Sequence, residues 1–304
     1  LILVALVVIA ATGVGVLTDR HSGHATRVSR LCLTTMLYGL IPFVSFVNFA
    51  HLKLTLGAGV GLLAAWVGLA IAGVLAYYAG RSLRLSRPSL GGLILAVMIV
   101  NTAYLGYPVA VALLGHGALT HAVAYDQVVS TPLVFTVGFA VGAAFGDPER
   151  AAGRRRSPAR ALVTNPPLWA SLIGLIGGPA VAPHLLVSVG NVVIDAFLGL
   201  GFFAVGVTLS SERRADGGSI FQRPDSAVLV AIALRFSVNP AVLALVSGAG
   251  VALPSAYLLQ AAMPSGINGL IVAHAYGLDR GVIATAIVWS TLAALTVAVV
   301  AYLV

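Results

Sequence analysis

Uncharged runs rich in Leu, Val and Ala recur from one end of this 304-residue chain to the other. Each is about 20 residues long, enough to cross the hydrocarbon core of a bilayer. In that medium every backbone N–H and C=O must be satisfied within the protein, so the runs are expected to be helices. Only 9% of the residues are charged, against roughly 25% in soluble proteins, too little to solvate a soluble surface. A soluble globular domain is excluded, and an all-α polytopic membrane protein is expected.

Apolar windows read against turn and charge signals predict ten spans, at 1–17, 31–50, 55–79, 91–115, 120–146, 166–186, 191–210, 226–247, 254–276 and 281–304. The formal charge of +8 would raise the question of nucleic acid in a soluble protein; here it reads as topology. Of the 17 Lys and Arg residues, 15 fall in odd-numbered loops, leaving only Lys53 in an even loop and Arg235 inside a span. Excess Lys and Arg marks the cytoplasmic side, so both termini are expected outside and the 147–165 loop inside. The GRRR run at 153–156 is read as topogenic charge rather than as a nucleic-acid or lipid patch. No nucleic-acid partner is expected.

That loop divides the chain into five spans in 1–146 and five in 166–304. Because five is odd, two homologous units in series insert with opposite orientation, the inverted-repeat plan of many secondary transporters. The fourth span of each half is interrupted, in the first by Asn101, Thr102, Gly106 and Pro108, in the second by Pro264, Ser265, Gly266, Asn268 and Gly269. At about 1.5 Å per residue both interruptions fall near the bilayer midplane. Proline removes an amide donor and blocks the carbonyl four residues back, leaving either a kink or a true break. A true break presents half-helix N-termini whose free N–H groups bind anions. Pro108 and Pro264 are expected to set the breaks, with Asn101 and Asn268 supplying hydrogen bonds.

The run NTAYLGYPVAVALLG resembles the Asn-Thr-Gly-Phe-Leu-Gly-x-Pro signature of the auxin efflux carrier family, which includes plant PIN-type carriers and bacterial carboxylate carriers. Asn165-Pro166, FFAVGVTL at 202–209, Arg235 with Pro240, and AAMPSGINGLIVAHAYGLD at 261–279 extend the likeness over nearly the whole chain. Ala103 stands where glycine is usual and Tyr104 where Phe is usual. The resemblance implies ten helices in two inverted five-helix repeats, fourth helices that cross at the substrate site, and an elevator motion. It implies that Asn101, Thr102, Gly106, Pro108, Pro264, Ser265 and Asn268 lie at that crossing, that the membrane is a bacterial inner membrane, and that a homodimer is possible.

Ionisable side chains inside spans are functional candidates because their burial in lipid is costly. Asp126 is expected either to couple a proton or cation or to hydrogen-bond a neighbouring helix. Asp195 is read as a helix-start or interfacial residue. Arg235 either attracts a substrate anion or snorkels to the cytoplasmic surface. His274 is read as interfacial, and His21, His24, His116 and His121 form no metal-site spacing. The single cysteine, Cys32, precludes an intrachain disulfide. The chain starts at Leu1 without the charged start of a secretory signal. With no P-loop, HExxH or serine elbow, neither ATP-driven pumping nor enzymatic activity is expected, and no cofactor.

The expected function is secondary transport or uniport of a small organic anion, auxin-like or a dicarboxylate such as malonate or malate, with a proton or sodium as possible coupling ion. A sodium-coupled bile-acid-type symporter, a cation/proton antiporter, and a non-transporting sensor or channel subunit are the alternatives.

Overall fold

The computed structural model describes residues 2–148, 160, 163–215 and 222–303. Arg150, Arg154, Arg155 and Arg156 of the basic run lie outside them. Among the described residues the secondary structure is helical: α1 Ile2–His21, α2 Ala25–Ala50, α3 Leu56–Ser82, α4 Arg87–Met98, α5 Gly106–Leu114 and α6 His116–Phe145. After the long loop come α7 Pro166–Gly177, α8 His184–Ala215, α9 Ser226–Gly248, α10 Ser255–Ala261, α11 Asn268–Tyr276 and α12 Arg280–Leu303. Seven of these, α1, α2, α3, α6, α8, α9 and α12, are long and apolar enough to cross a membrane. The other three expected spans are the short α7 and the two interrupted segments, α4 with α5 and α10 with α11.

Helix ends fall where side chains can satisfy the orphan amides of a first turn. The Thr55 hydroxyl accepts from the Ala58 amide at 3.1 Å to start α3, and the Asp225 carboxylate from the Val228 amide at 2.9 Å to start α9. Gly115 (φ 80°) and Gly277 (φ 71°) end α5 and α11 in a region that only glycine enters cheaply. Several helices overrun the apolar windows, α1, α2 and α8 by about a turn or more. Arg20 and Arg81 therefore end α1 and α3, while Arg27 and Arg30 sit in the first turns of α2 rather than in a loop. α8 likewise starts at His184, which puts Asp195 well inside a helix instead of at its start.

Two helices carry wide π turns, Met36–Leu40 in α2 and both Asp126–Ser130 and Val134–Gly138 in α6. The turns at Met36 and Asp126 each precede a proline, Pro42 and Pro132. Proline frees the carbonyl four residues back, and for Pro132 that carbonyl, Val128, accepts the Trp66 indole N–H at 3.1 Å.

Packing falls into two groups. α1 lies along α8, and α2 along α7 and α8; α3 lies along α9 and α4, with α12 against α4 and α11 against α6. The α1–α8 seam is a backbone-to-backbone contact made by reciprocal glycines. A Cβ on Gly206 would stand 2.2 Å from the Thr12 carbonyl oxygen, and one on Gly15 2.3 Å from that of Phe203. Close glycine approach is a general means of helix association in lipid. Gly206→Val is expected to lower the unfolding temperature in detergent, at a cost of about 1–3 kcal/mol for overpacking. Gly199→Val, whose Cβ meets nothing within 4 Å, is expected to leave it unchanged.

Candidate functional site: the helix crossing

Each interrupted segment passes the other as a short extended stretch, and the two pair. Val100 and Ser265 form an isolated antiparallel bridge: the Asn101 amide donates to the Pro264 carbonyl and the Gly266 amide to the Ile99 carbonyl, both at 2.8 Å. A Cβ on Gly266 would stand 2.7 Å from the Val100 carbonyl oxygen, so this close approach requires glycine.

The pairing diverts amides that would have continued α4 and α10, leaving the last carbonyls of those helices to be satisfied by side chains. The Ser265 hydroxyl donates to the Ala96 carbonyl at 2.7 Å, and its amide donates to the Ser290 hydroxyl at 3.1 Å. Arg235, 1% exposed, spans both ends. Its Nη1 donates to the Val97 carbonyl of α4 at 2.9 Å, and its Nη2 donates to the Ala261 carbonyl of α10. A cation at helix C-termini also complements their partial negative charge. The guanidinium does not snorkel: α9 begins at Ser226, and Arg235 points inward to the crossing.

On the other side of the bridge the second half-helices begin. Pro108 sits in the first turn of α5, where its missing N–H costs nothing. Asn101 closes the turn that leads into this helix, Oδ1 accepting from the Leu105 amide at 3.3 Å and its carbonyl from the Gly106 amide at 3.1 Å. α11 has no side-chain cap. Among the described residues no partner reaches the Ile267 and Asn268 amides or the Asn268 side chain.

These groups open onto a cavity of about 400 Å³ between the two packing groups. α2 contributes Leu33, Leu37 and Ile41, the start of α7 contributes Asn165 and Pro167, and the crossing contributes residues 100–104 and 266–268. The π turns of α6 supply the remaining polar wall. Asp126 lies there, 5% exposed, accepting from the Tyr107 hydroxyl at 2.8 Å, from Gln127 Nε2 at 2.9 Å and from the Thr102 hydroxyl. Among the described residues of the lining it is the one carboxylate, and none is Lys or Arg. Gln127 Oε1, Ser130 Oγ and Asn165 Oδ1 on the same wall are buried without a hydrogen-bond partner.

Of the residues singled out in the sequence, Asn101, Thr102, Asn268 and Asp126 meet on the cavity wall. Ser265 and Pro264 build the bridge behind it, Gly106 and Pro108 open α5, and Arg235 stands off the cavity against the other ends of the broken helices. Gln127, Ser130 and Thr131 were not anticipated, although Pro132, the mark of a widened turn, stood beside them in the sequence. Gln260, buried with its Nε2 3.2 Å from the Thr102 carbonyl, was not anticipated either.

Residues 155–302 match the family model described as "Membrane transport protein". An uncharacterized transporter of Methanocaldococcus jannaschii is 30% identical over 231 residues, covering 72% of this chain and 70% of that protein. A probable auxin efflux carrier component 1b of rice is 31% identical over 154 residues, 47% of this chain and 27% of the rice protein. The chain belongs to the auxin efflux carrier family. Auxin efflux carrier component 4 of Arabidopsis thaliana is 29% identical over 154 residues, 47% of this chain and 24% of the plant protein. This member is thus a multi-pass membrane transport protein, and the matched stretch spans about a quarter of each of these two plant carriers.

In this auxin efflux carrier family member the bridge depends on the absence of a side chain at Gly266. Gly266→Ala is expected to force the strands apart and to speed amide exchange at Asn101 and Gly266. Hydrogen–deuterium exchange of the peptides covering 96–106 and 262–270 reads this directly.

Proposed function

We propose that the protein is a ten-span carrier of small organic anions that works by alternating access, with substrate held at the helix crossing. The observation that carries the reading is the uncapped N-terminus of α11 on the cavity wall. Its free amides and partial positive charge suit one carboxylate group, and the Asn268 side chain and the Asn101 Nδ2 group stand beside it as further donors. At the matching end of α5 the Leu105 and Gly106 amides are already taken by Asn101, and Pro108 has none to offer. Apolar side chains of Leu33, Leu37, Ile41, Phe135, Phe139 and Ile271 form much of the remaining wall, which suits an apolar body. With no basic side chain among the described residues of the lining, a second carboxylate would find no counter-charge there. An auxin-like monocarboxylate therefore fits better than malonate or malate.

The ten-span reading counts α7 and the two interrupted segments as spans beside the seven long helices. Support for two inverted repeats comes from the packing, which is preserved when each span is exchanged for the one five places away. The pair of spans one and seven (α1, α8) becomes six and two (α7, α2), and the pair three and eight (α3, α9) maps onto itself. With odd loops cytoplasmic, the cavity lies in the cytoplasmic half, bordered by Asn165 at the start of α7, which suits an inward-facing state. Its position between two packing groups suits an elevator in which the crossing slides against α1, α2, α7 and α8. Arg235 on this reading holds the crossing together and does not touch substrate.

A negative-inside potential drives anions out by about 2.3 kcal/mol per charge per 100 mV, so export needs no coupling ion. Asp126 gives such a carrier a pH dependence, because a proton on its carboxylate removes the like charge from the substrate's cavity.

Two tests follow from the cavity wall. In proteoliposomes, Asn101→Ala combined with Asn268→Ala is expected to reduce flux of aromatic monocarboxylates at least tenfold at unchanged unfolding temperature, on the order of one to two lost hydrogen bonds to a charged group. Full flux in that variant overturns the site. Wild-type flux is expected to vary with pH and Asp126→Asn flux to be flat; a flat wild-type profile removes Asp126 from coupling.

A further inference from the structure

A second cavity, of about 530 Å³, lies away from the crossing between α1, α8 and α12. Its floor is Val8, Phe202, Val205, Leu209, Ile287 and Leu295, all buried. Its lips are the exposed Ile9 and Leu17 on one side and Leu292 on the other. Gly13 on the α1 lip has nothing within 4 Å of a Cβ position, so the groove is open there. All three walls are helices long and apolar enough to span a membrane, and the groove therefore faces lipid rather than water.

Length and charge define its occupant. From Val8 to Arg20 the groove follows α1 for about 18 Å at 1.5 Å per residue, the depth of one leaflet of a core about 30 Å thick. One end carries Arg20, the one charged residue among the described residues of the lining. The neighbouring acid, Asp19, is already paired with Arg214 at the end of α8, whose Nη2 also donates to the Asp19 carbonyl at 2.6 Å. Arg20 is exposed and makes no ion pair among the described residues. Sidedness of insertion accounts for an arginine in this loop; it does not account for one placed at the mouth of an apolar groove.

We propose that this groove is a binding site for an anionic phospholipid of the cytoplasmic leaflet, one acyl chain lying between α1 and α12 and the headgroup phosphate on Arg20. The site stands whether or not the transport reading does. Its consequence rests on that reading: the groove joins α12, which packs with the crossing, to α1 and α8 of the other group. A lipid lodged there sets how readily the two groups slide.

The test uses the full chain purified in detergent, with phosphatidylglycerol or phosphatidylcholine of the same acyl chains, read by native mass spectrometry and thermal unfolding. Phosphatidylglycerol is expected to be retained and to raise the unfolding temperature more than phosphatidylcholine. Arg20→Gln is expected to weaken retention about fivefold, the effect of one basic residue at an anionic surface. Gly13→Trp, which fills the open part of the groove, is expected to abolish retention of either lipid while leaving the protein folded. Equal effects of the two lipids on wild type, undiminished retention in Arg20→Gln, or stabilisation by inorganic phosphate alone would each overturn the proposal. Loss of lipid preference in the variants with transport still undetected in wild type would uphold the site and count against the carrier reading alone.

Discussion

Breaking a helix inside a bilayer frees backbone groups that no water can reach, and the rest of this architecture follows from how those groups are answered. Two breaks placed side by side answer each other in part, through the two hydrogen bonds of the Val100–Ser265 bridge. Diverting those amides leaves the carbonyls of Ala96, Val97 and Ala261 at the ends of α4 and α10, and here a single guanidinium does what two separate caps would otherwise do. Arg235 can reach both ends because they converge at the bridge. A buried cation without a carboxylate partner is ordinarily costly. In this setting two carbonyl acceptors and two partially negative helix ends replace the missing anion.

The two breaks nonetheless are not equivalent, and the difference has chemical content. Asn101 folds back onto α5 and occupies the end that could have received a ligand. The corresponding turn before α11 passes through Gly266 and Ile267, neither of which can cap, and its first amides face the cavity. The two half-helix starts thus differ in which of their first amides stay open, through a local difference in sequence. The widened turns of α6 serve the same place: a π turn shifts side chains around the helix, bringing Asp126, Gln127 and Ser130 together on the cavity wall.

Much of this was legible in the sequence because it is local. Apolar run lengths located the helices, and proline beside asparagine and glycine marked both breaks. A carboxylate within a span marked Asp126, which lies on the cavity wall. What the sequence could not show were contacts between distant segments. Arg235 could be recognised as anomalous, but its acceptors Val97 and Ala261 lie 138 and 26 residues away, and no spacing rule connects them. Helix ends were misjudged for a related reason. Hydropathy measures where the lipid begins, whereas α1, α2 and α3 continue past it into the charged residues that flank their apolar runs.

The distribution of positive charge then has more than one physical origin. Arginines outside the hydrocarbon cost little, and their bias to one side orients the chain during insertion. An arginine inside it has to be matched by specific acceptors, which Arg235 finds only once both halves of the chain have folded against each other. Residues of both halves, Val97 and Ala261, must be in place before its two Nη groups have their acceptors. Either half alone would leave Arg235 or its acceptors exposed to lipid, so the crossing favours assembly of the two halves over the independent folding of either. The same requirement makes the crossing the least divisible part of the structure.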